Sequence, residues 1–116
     1  MRILCCGDRN WSDSSIIERV LSNYSSDTVI IHGNANGADR LSASIALSLN
    51  MRVQSYPANW NQYGRAAGPI RNQQMLDEGK PDLVIAFHSN IEQSKGTKNM
   101  IKLAHHANIK VILIEK

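Results

Sequence analysis

Five short apolar runs recur along this 116-residue chain, and most of them are nearly continuous in hydrophobic character. They lie at Ile3–Cys6, Thr28–His32, Val53–Tyr56, Leu83–Phe87 and Ile109–Ile114. Continuous runs of this length are typical of strands buried on both faces, as in a parallel sheet. We therefore expect five strands in one parallel sheet.

Segments with helical periodicity separate most of these runs. Their apolar faces are marked by Ile16, Ile17, Val20, Leu21 and Tyr24 in the first, by Leu41, Ile45 and Leu49 in the second, and by Met100, Leu103, Ala104 and Ala107 in the fourth. We expect Ser12 to cap the first helix. The third helix is the least periodic, and we place it at Ile70 to Glu78, ended by Gly79 and Pro81. This alternation predicts an α/β protein with helices on both faces of the sheet.

Length and composition bound the class of protein. We expect one domain over residues 1–116, because the chain is too short for two cores of ordinary size. Cys5 and Cys6 are adjacent inside the first run, which indicates buried thiols and neither a disulfide framework nor a metal site. No signal or membrane-spanning stretch is visible, so we expect a cytoplasmic protein with no membrane partner. The basic residues are spread along the chain, so the net charge of +3 indicates a mild preference for anionic partners and is not a nucleic-acid signature.

The segments that leave the predicted strands differ from those that enter them. Connections into strands are short and contain ordinary turn residues, whereas glycine, arginine and aromatic residues concentrate at 7–11, 33–39, 57–72 and 88–97, after the strands. In open α/β sheets, ligands bind at the carboxyl ends of the strands. The asymmetry therefore predicts a ligand crevice at this edge of the sheet.

The segment after the second strand is rich in glycine and leads into a helix. Its backbone N–H groups predict an anion seat that involves Gly33, Asn34, Gly37, Ala38 and Asp39. The structural alternative is a tight turn in which the glycines supply positive φ and Asp39 favours the first helical turn. Both interpretations stay open on this segment alone.

The segment after the first strand carries a second set of candidates. Gly7 would let a ligand approach the backbone, Arg9 could bind a carboxylate or phosphate, and Trp11 could stack on a base. Alternatively, Trp11 packs as a hydrophobic staple beside the Ser12 cap.

The long segment from Pro57 to Asn72 is polar and glycine-rich. Its aromatics suit the walls of a purine or nucleotide site, its arginines supply positive charge, and its glycines allow close folding; the candidates are Trp60, Tyr63, Gly68, Arg71 and Asn72. The alternative is a loop that merely covers the edge of the sheet. We favour a functional role, since long loops in compact domains are usually functional.

Further candidates follow the fourth strand. Gly96 and Thr97 begin the fourth helix and could bind an oxygen cluster, although Thr97 could equally cap that helix. His88 is the only histidine that we expect at the crevice, and no histidine has metal spacing. The carboxylates on this edge are Asp8, Asp39 and Glu92, and they form no recognisable catalytic set.

Four stretches together resemble a known family: "GDRNW", "HGNANGADRLSASIA", "PANWNQYGRAAGPIRNQQM" and "KGTKNMIKLAHHANIKVIL". They are similar to the YspA/cpYpsA-related branch of the SLOG superfamily over essentially the whole chain. The resemblance implies a three-layer, Rossmann-like domain with strand order 3-2-1-4-5. We expect no cofactor.

Two other branches of the superfamily imply different activities. The Lonely Guy branch hydrolyses cytokinin nucleotides with an arginine, which Arg71 matches, and a glutamate in P-G-G-x-G-T-x-x-E, where Gly96 and Thr97 match but Met100 replaces the glutamate. The DNA-processing protein A branch binds single-stranded DNA, and its motifs are similar to residues 33–39 and to Arg71 and Asn72, with Asn36 in place of its arginine.

Three functions follow, in order of preference. The first is binding or sensing of a nucleotide or nucleotide-derived ligand. The second is hydrolysis of an N-glycosidic bond in such a ligand, with Asp8, Glu92 and Arg71 as the catalytic candidates. The third is binding of single-stranded nucleic acid. A homodimer or higher oligomer is a further expectation.

Overall fold

The computed structural model describes residues 1–115 and contains one parallel sheet of five strands in the order β3-β2-β1-β4-β5. The strands are β1 (Arg2–Gly7), β2 (Val29–His32), β3 (Arg52–Ser55), β4 (Leu83–Phe87) and β5 (Lys110–Ile114). The predicted α/β fold and strand order are confirmed, and every predicted strand boundary lies within one residue of the observed one.

Five α-helices connect the strands: α1 (Ser14–Leu21), α2 (Ala38–Ser48), α3 (Trp60–Tyr63), α4 (Ala67–Gly79) and α5 (Gly96–His106). Helices α1 and α2 pack on one face of the sheet, and α4 and α5 pack on the other. This arrangement follows from right-handed crossovers that begin at the central strand β1 and proceed outwards in both directions. No helix within residues 1–115 has the length and apolar character needed to cross a bilayer.

Alternate residues of β1 supply the two halves of the core. Ile3 and Cys5 face α1 and α2, while Leu4 and Cys6 face α4 and α5. Both thiols are buried and free, as predicted, and burial raises the pKa of Cys5 to about 12. Because side chains alternate in a strand, a single continuous apolar run can serve both layers.

The outer strands are less buried than the apolar runs predicted. All five residues of β4 are buried, whereas Val53 is the only residue of β3 that is not exposed, and β5 is half-buried from Val111 to Ile114. Both strands are edges of the sheet, so each lacks one neighbour. Their apolar character therefore does not correspond to burial on both faces.

The predicted cap of the first helix was wrong by one residue. Asp13, and not Ser12, is the N-cap, and its side chain accepts hydrogen bonds from the backbone N–H groups of Ser15 and Ile16. Both residue types are good caps. Propensity alone could not separate the two neighbours.

The boundaries of the third predicted helix were also wrong. Helix α4 begins at Ala67, three residues before Ile70, and it follows α3 and a 3₁₀ turn at Gly64–Ala66. It ends at Gly79, inside the helix, and Lys80 forms the left-handed C-cap with φ 47°. Most of the segment from Pro57 to Asn72 is therefore helical and is not a loop.

Candidate functional site

A buried carboxylate organises the segment between β2 and α2. Asp39 Oδ2 accepts hydrogen bonds from the backbone N–H groups of Gly33, at 2.9 Å, and Ala35, at 3.4 Å. Burial raises the pKa of Asp39 to about 6, although these N–H groups and the nearby Arg71 charge lower it. The protein's own carboxylate thus occupies part of the anion seat that the sequence predicts.

Arg71 projects from the second turn of α4 to the carboxyl end of β2. Its Nη1 donates to the carbonyl oxygen of Gly33 at 2.6 Å, and its Nε donates to Asn72 Oδ1 at 3.1 Å. A Cβ atom on Gly33 would overlap the guanidinium, so glycine permits this contact. Burial lowers the pKa of Arg71, while the Asp39 charge raises it. Within residues 1–115, no acceptor pairs with Arg71 Nη2.

Asn72 joins α4 to the start of α5. Its Nδ2 donates to the carbonyl oxygen of Gly96 at 3.2 Å and to Asn99 Oδ1 at 3.0 Å. Since Asn72 Oδ1 also accepts from Arg71, one buried amide connects the guanidinium to a second helix. The predicted candidates Gly33, Asp39, Arg71, Asn72 and Gly96 are therefore brought together at one edge of the sheet.

The start of α5 is stabilised by Ser94. Its Oγ accepts from the backbone N–H of Thr97 at 3.0 Å and more weakly from that of Lys98. Thr97 is the second residue of the helix and is buried, so it does not serve as the cap. Apart from its chain neighbours and the backbone of its own helix, no atom of residues 1–115 lies within 4 Å of the position that a Cβ on Gly96 would take, which leaves open space beside this residue.

Two histidines with the same local geometry stand at the carboxyl ends of β2 and β4, the strands on either side of β1. His32 Nδ1 accepts from the Asn34 N–H, and His88 Nδ1 accepts from the Asn90 N–H, both at 3.0 Å. Both imidazoles are more than nine-tenths buried. His32 was missed from the sequence, although its signal was present: each strand ends in His-x-Asn.

The segment after β1 packs against the segment after β2. Ala38 N donates to the Asp8 carbonyl oxygen at 3.1 Å, and a Cβ on Gly37, at φ +74°, would overlap the carbonyl oxygens of Asp8 and Arg9. A Cβ on Gly7 would likewise meet Ala38 and the Phe87 carbonyl. These glycines accommodate the protein's own backbone and do not expose it to a ligand.

The stacking role considered for Trp11 does not fit the structure. Trp11 is 5% exposed, its ring packs against Phe87 with centroids 5.8 Å apart, and its Nε1 donates to the Asp13 carbonyl. Packing beside the first helix, which was the structural alternative, describes it better, with Asp13 in place of Ser12 as the cap. The neighbouring Arg9 is exposed.

Trp60 and Tyr63 lie on the surface of the segment that precedes Arg71. They are 57% and 44% exposed, and the Trp60 indole lies 3.4 Å from the position of a Cβ on buried Gly68. A surface depression of ≈ 390 Å³ is lined by Pro57–Asn61, which includes Trp60. An exposed indole beside a depression is available for stacking, in contrast to Trp11.

The carboxylate candidates other than Asp39 are tied to local partners. Asp8 Oδ1 accepts from the Asn10 N–H at 2.9 Å, and Glu92 forms an exposed ion pair with Lys98 at 3.2 Å. Met100 is buried in the core between α5 and the sheet. None of these three side chains has a hydrogen bond to Arg71 in the described part of the chain.

The model of the YspA, cpYpsA-related SLOG family matches residues 1–63, which is more than half of the chain. This chain belongs to that family. The glycine-rich segment after β2 and the buried Asp39 lie inside the match, whereas Arg71 and the start of α5 lie outside it.

Two further comparisons extend over nearly the whole chain. The Gene 61 protein of Mycobacterium phage D29 is 30% identical over 120 residues, which cover 96% of this chain and 94% of that protein. The C-terminal domain of a hydrogenase from Pyrococcus furiosus aligns with a TM-score of 0.50 and 14% identity, covering 97% of this chain and 90% of that chain. The latter likeness concerns the fold alone.

Proposed function

We propose that this SLOG protein binds a nucleotide or nucleotide-derived small molecule at the carboxyl edge of the sheet. The observation that carries the proposal is the half-buried Arg71 guanidinium. It is positioned by Gly33 and Asn72 through Nη1 and Nε, and Nη2 has no acceptor within residues 1–115. A fixed guanidinium with a remaining N–H face suits a phosphate or carboxylate oxygen.

The surroundings of Arg71 support an anionic and partly aromatic ligand. The open space beside Gly96 at the start of α5 would admit ligand oxygens near a helix N-terminus. Trp60, on the segment leading to Arg71, supplies an exposed indole for a base. Family membership supports a nucleotide-related ligand.

Binding is better supported than cleavage of an N-glycosidic bond. The carboxylate that acts electrostatically on Arg71 is Asp39, and its Oδ2 already accepts two backbone N–H groups. Glu92 is engaged with Lys98, and Met100 has no acid–base chemistry. No observation favours a carboxylate poised beside a ligand held by Arg71.

Thermal unfolding with nucleotides tests this function. The panel is adenosine monophosphate, guanosine monophosphate, adenosine diphosphate and ADP-ribose, each at 5 mM. A ligand at 100 times its Kd stabilises the folded state by about 2.7 kcal/mol, which raises Tm measurably. We expect at least one compound to raise Tm in the wild type and not in Arg71→Ala.

Arg65→Ala is the matched control, because Arg65 is an exposed arginine of the same segment. We expect it to keep the ligand-induced rise in Tm. An unchanged rise in Arg71→Ala would remove Arg71 from the site, and no rise across the panel in the wild type would contradict the proposed function. Release of free base from adenosine monophosphate would instead select the hydrolase.

A further inference from the structure

The excess of basic over acidic residues in this chain comes from one segment. Residues 93–114 contain four of the 13 Lys and Arg and none of the ten Asp and Glu, so the rest of the chain has nine basic and ten acidic side chains. The net charge of +3 therefore does not describe a uniformly basic surface. It originates at α5 and the strand that follows it.

The basic side chains of α5 share one face. With about 3.6 residues per turn, Lys95, Lys98, Lys102, His105 and His106 fall within an arc of about 100°. All five are exposed, and they line an open surface depression of ≈ 660 Å³ together with Ser94, Asn99 and Ile101. We call these five side chains the α5 basic face.

We propose that the α5 basic face binds the phosphate backbone of a nucleic-acid strand, in addition to the nucleotide site proposed at Arg71. From Lys95 to Lys102 the helix rises about 10 Å at 1.5 Å per residue. This length corresponds to about three stacked nucleotides at 3.4 Å each. The three lysines are therefore arranged along a line, as the phosphates of a nucleic-acid strand are. Lysine binds phosphate as a point charge.

The chemistry of this face distinguishes nucleic acid from other anionic partners. Amphipathic helices that bind membranes combine lysines with exposed Trp, Phe or Leu. Within residues 1–115, the exposed large hydrophobic side chains lie outside α5. The lack of an exposed large hydrophobic side chain also disfavours an acidic peptide, because protein interfaces depend on aromatic or aliphatic anchor side chains, and Ile101 at this depression is partly buried. The absence of aromatics on this face also predicts contact with phosphates and no reading of bases.

Fluorescence anisotropy with a labelled 20-nucleotide oligothymidylate tests the proposal between 50 and 200 mM salt. Three phosphate contacts predict a slope of log K against log salt of about −2, which is a roughly 20-fold loss of affinity over this range. The variant Lys95→Gln, Lys98→Gln, Lys102→Gln should abolish binding. Its matched control, Arg19→Gln, Arg52→Gln, Lys80→Gln, removes three exposed charges elsewhere and should keep both affinity and slope.

A gain-of-binding variant adds an independent readout. Glu92→Gln removes the carboxylate that pairs with Lys98 at 3.2 Å and should raise affinity about two- to fivefold. Equal losses in the two triple variants would show a net-charge effect and overturn the proposal. So would undetectable binding at 50 mM salt, equal competition by polyglutamate, or binding to phosphatidylserine vesicles without binding to the oligonucleotide.

Discussion

The segments that follow β2 and β4 lie on either side of β1, and each begins with a histidine that accepts the N–H of an asparagine two residues later. Beyond this point they diverge. The segment after β2 is held by the buried carboxylate of Asp39, whereas the start of α5 is held by the neutral hydroxyl of Ser94. In both segments a side chain accepts hydrogen bonds from backbone N–H groups, but the Asp39 carboxylate is titratable and the Ser94 hydroxyl is not.

This difference bears on where the anionic ligand proposed above would bind. After β2, the Gly33 and Ala35 N–H groups already have an anionic acceptor, so the site offers a ligand Arg71 and not those amides. After β4, the space beside Gly96 is open. The anion seat that the sequence places after β2 is therefore better supported at Arg71 and the start of α5.

The largest expected effect is a pH dependence of stability on the β2 side. The pKa of Asp39 is raised from 3.8 to about 6, chiefly by burial, so the folded state binds this proton more tightly than the unfolded state. Its contribution to stability is full below pH 3.8 and is lost as pH rises through about 6, which amounts to about 3 kcal/mol. Relative to Asp39→Asn, the wild type should lose this free energy of unfolding between pH 4 and pH 7.

Urea denaturation at pH 4, 5, 6 and 7 measures this difference. Asp27→Asn, at an exposed position, is the control and should run parallel to the wild type. Parallel profiles for the wild type and Asp39→Asn would mean that Asp39 titrates as it does in the unfolded chain.

The next largest effect is the loss of stability when the side-chain acceptor is removed from either segment, Asp39 after β2 or Ser94 before α5. At pH 5, where Asp39 is mostly protonated, Asp39→Ala leaves the Gly33 and Ala35 N–H groups without their acceptor and should cost about 2 kcal/mol. Ser94→Ala should cost about 1 kcal/mol, as for loss of a helix cap. Urea denaturation of both variants at pH 5 gives the comparison, and a larger loss in Ser94→Ala would reverse our assignment of the more strongly held segment.

The sequence predicts the features of this protein that depend on neighbouring residues, and it does not predict contacts between residues that are far apart in the chain. The sheet follows from apolar runs and connection lengths, and Arg71 was identifiable from its place at the start of a predicted helix and from the family resemblance. Asp39 was considered as part of an anion seat or as a residue of the first helical turn, and not as the acceptor of Gly33 N, because nothing local shows that its carboxylate turns back to that group. The contact of Arg71 with Gly33 spans 38 residues and depends on the packing of α4 against β2.

Aromatic residues illustrate the same limit. Trp11 and Trp60 both follow strands and both have polar neighbours, so the sequence treats them alike. Trp11 is buried because Phe87 ends the adjacent strand β4 at the same level, whereas Trp60 belongs to a short helix at the surface. Only the register of β1 against β4, which brings Phe87 beside Trp11, distinguishes the buried Trp11 from the exposed Trp60.

A third prediction uses the glycines of the two segments. Gly33→Ala places a methyl group where the Arg71 guanidinium lies, and Gly96→Ala meets nothing within 4 Å. We expect Gly33→Ala to cost about 1 kcal/mol, the value of the hydrogen bond to Arg71, and to weaken the nucleotide-induced rise in Tm. Gly96→Ala should leave stability unchanged or raise it by up to about 1 kcal/mol, because alanine favours a helix.

Thermal unfolding with and without nucleotide reports both quantities for this pair of variants. If Gly33→Ala retains the full nucleotide response, the position of the Arg71 guanidinium against Gly33 does not matter for binding. A loss of stability in Gly96→Ala would show that the space beside this residue is not open.

The smallest effect concerns the feature that the two segments share. His32→Phe and His88→Phe each remove an Nδ1 acceptor from an asparagine N–H, and because Asn34 and Asn90 are exposed, water can replace it. Each should cost about 0.5–1 kcal/mol at pH 8.

The pKa of His32 is lowered from 6.5 by burial and by the charges of Arg71 and Arg40. The stability it contributes is present above pH 6.5 and is lost as pH falls, opposite in sign to Asp39. Urea denaturation should therefore show the cost of His32→Phe shrinking from pH 8 to pH 5, and a cost that grows toward acid would contradict a neutral, buried His32.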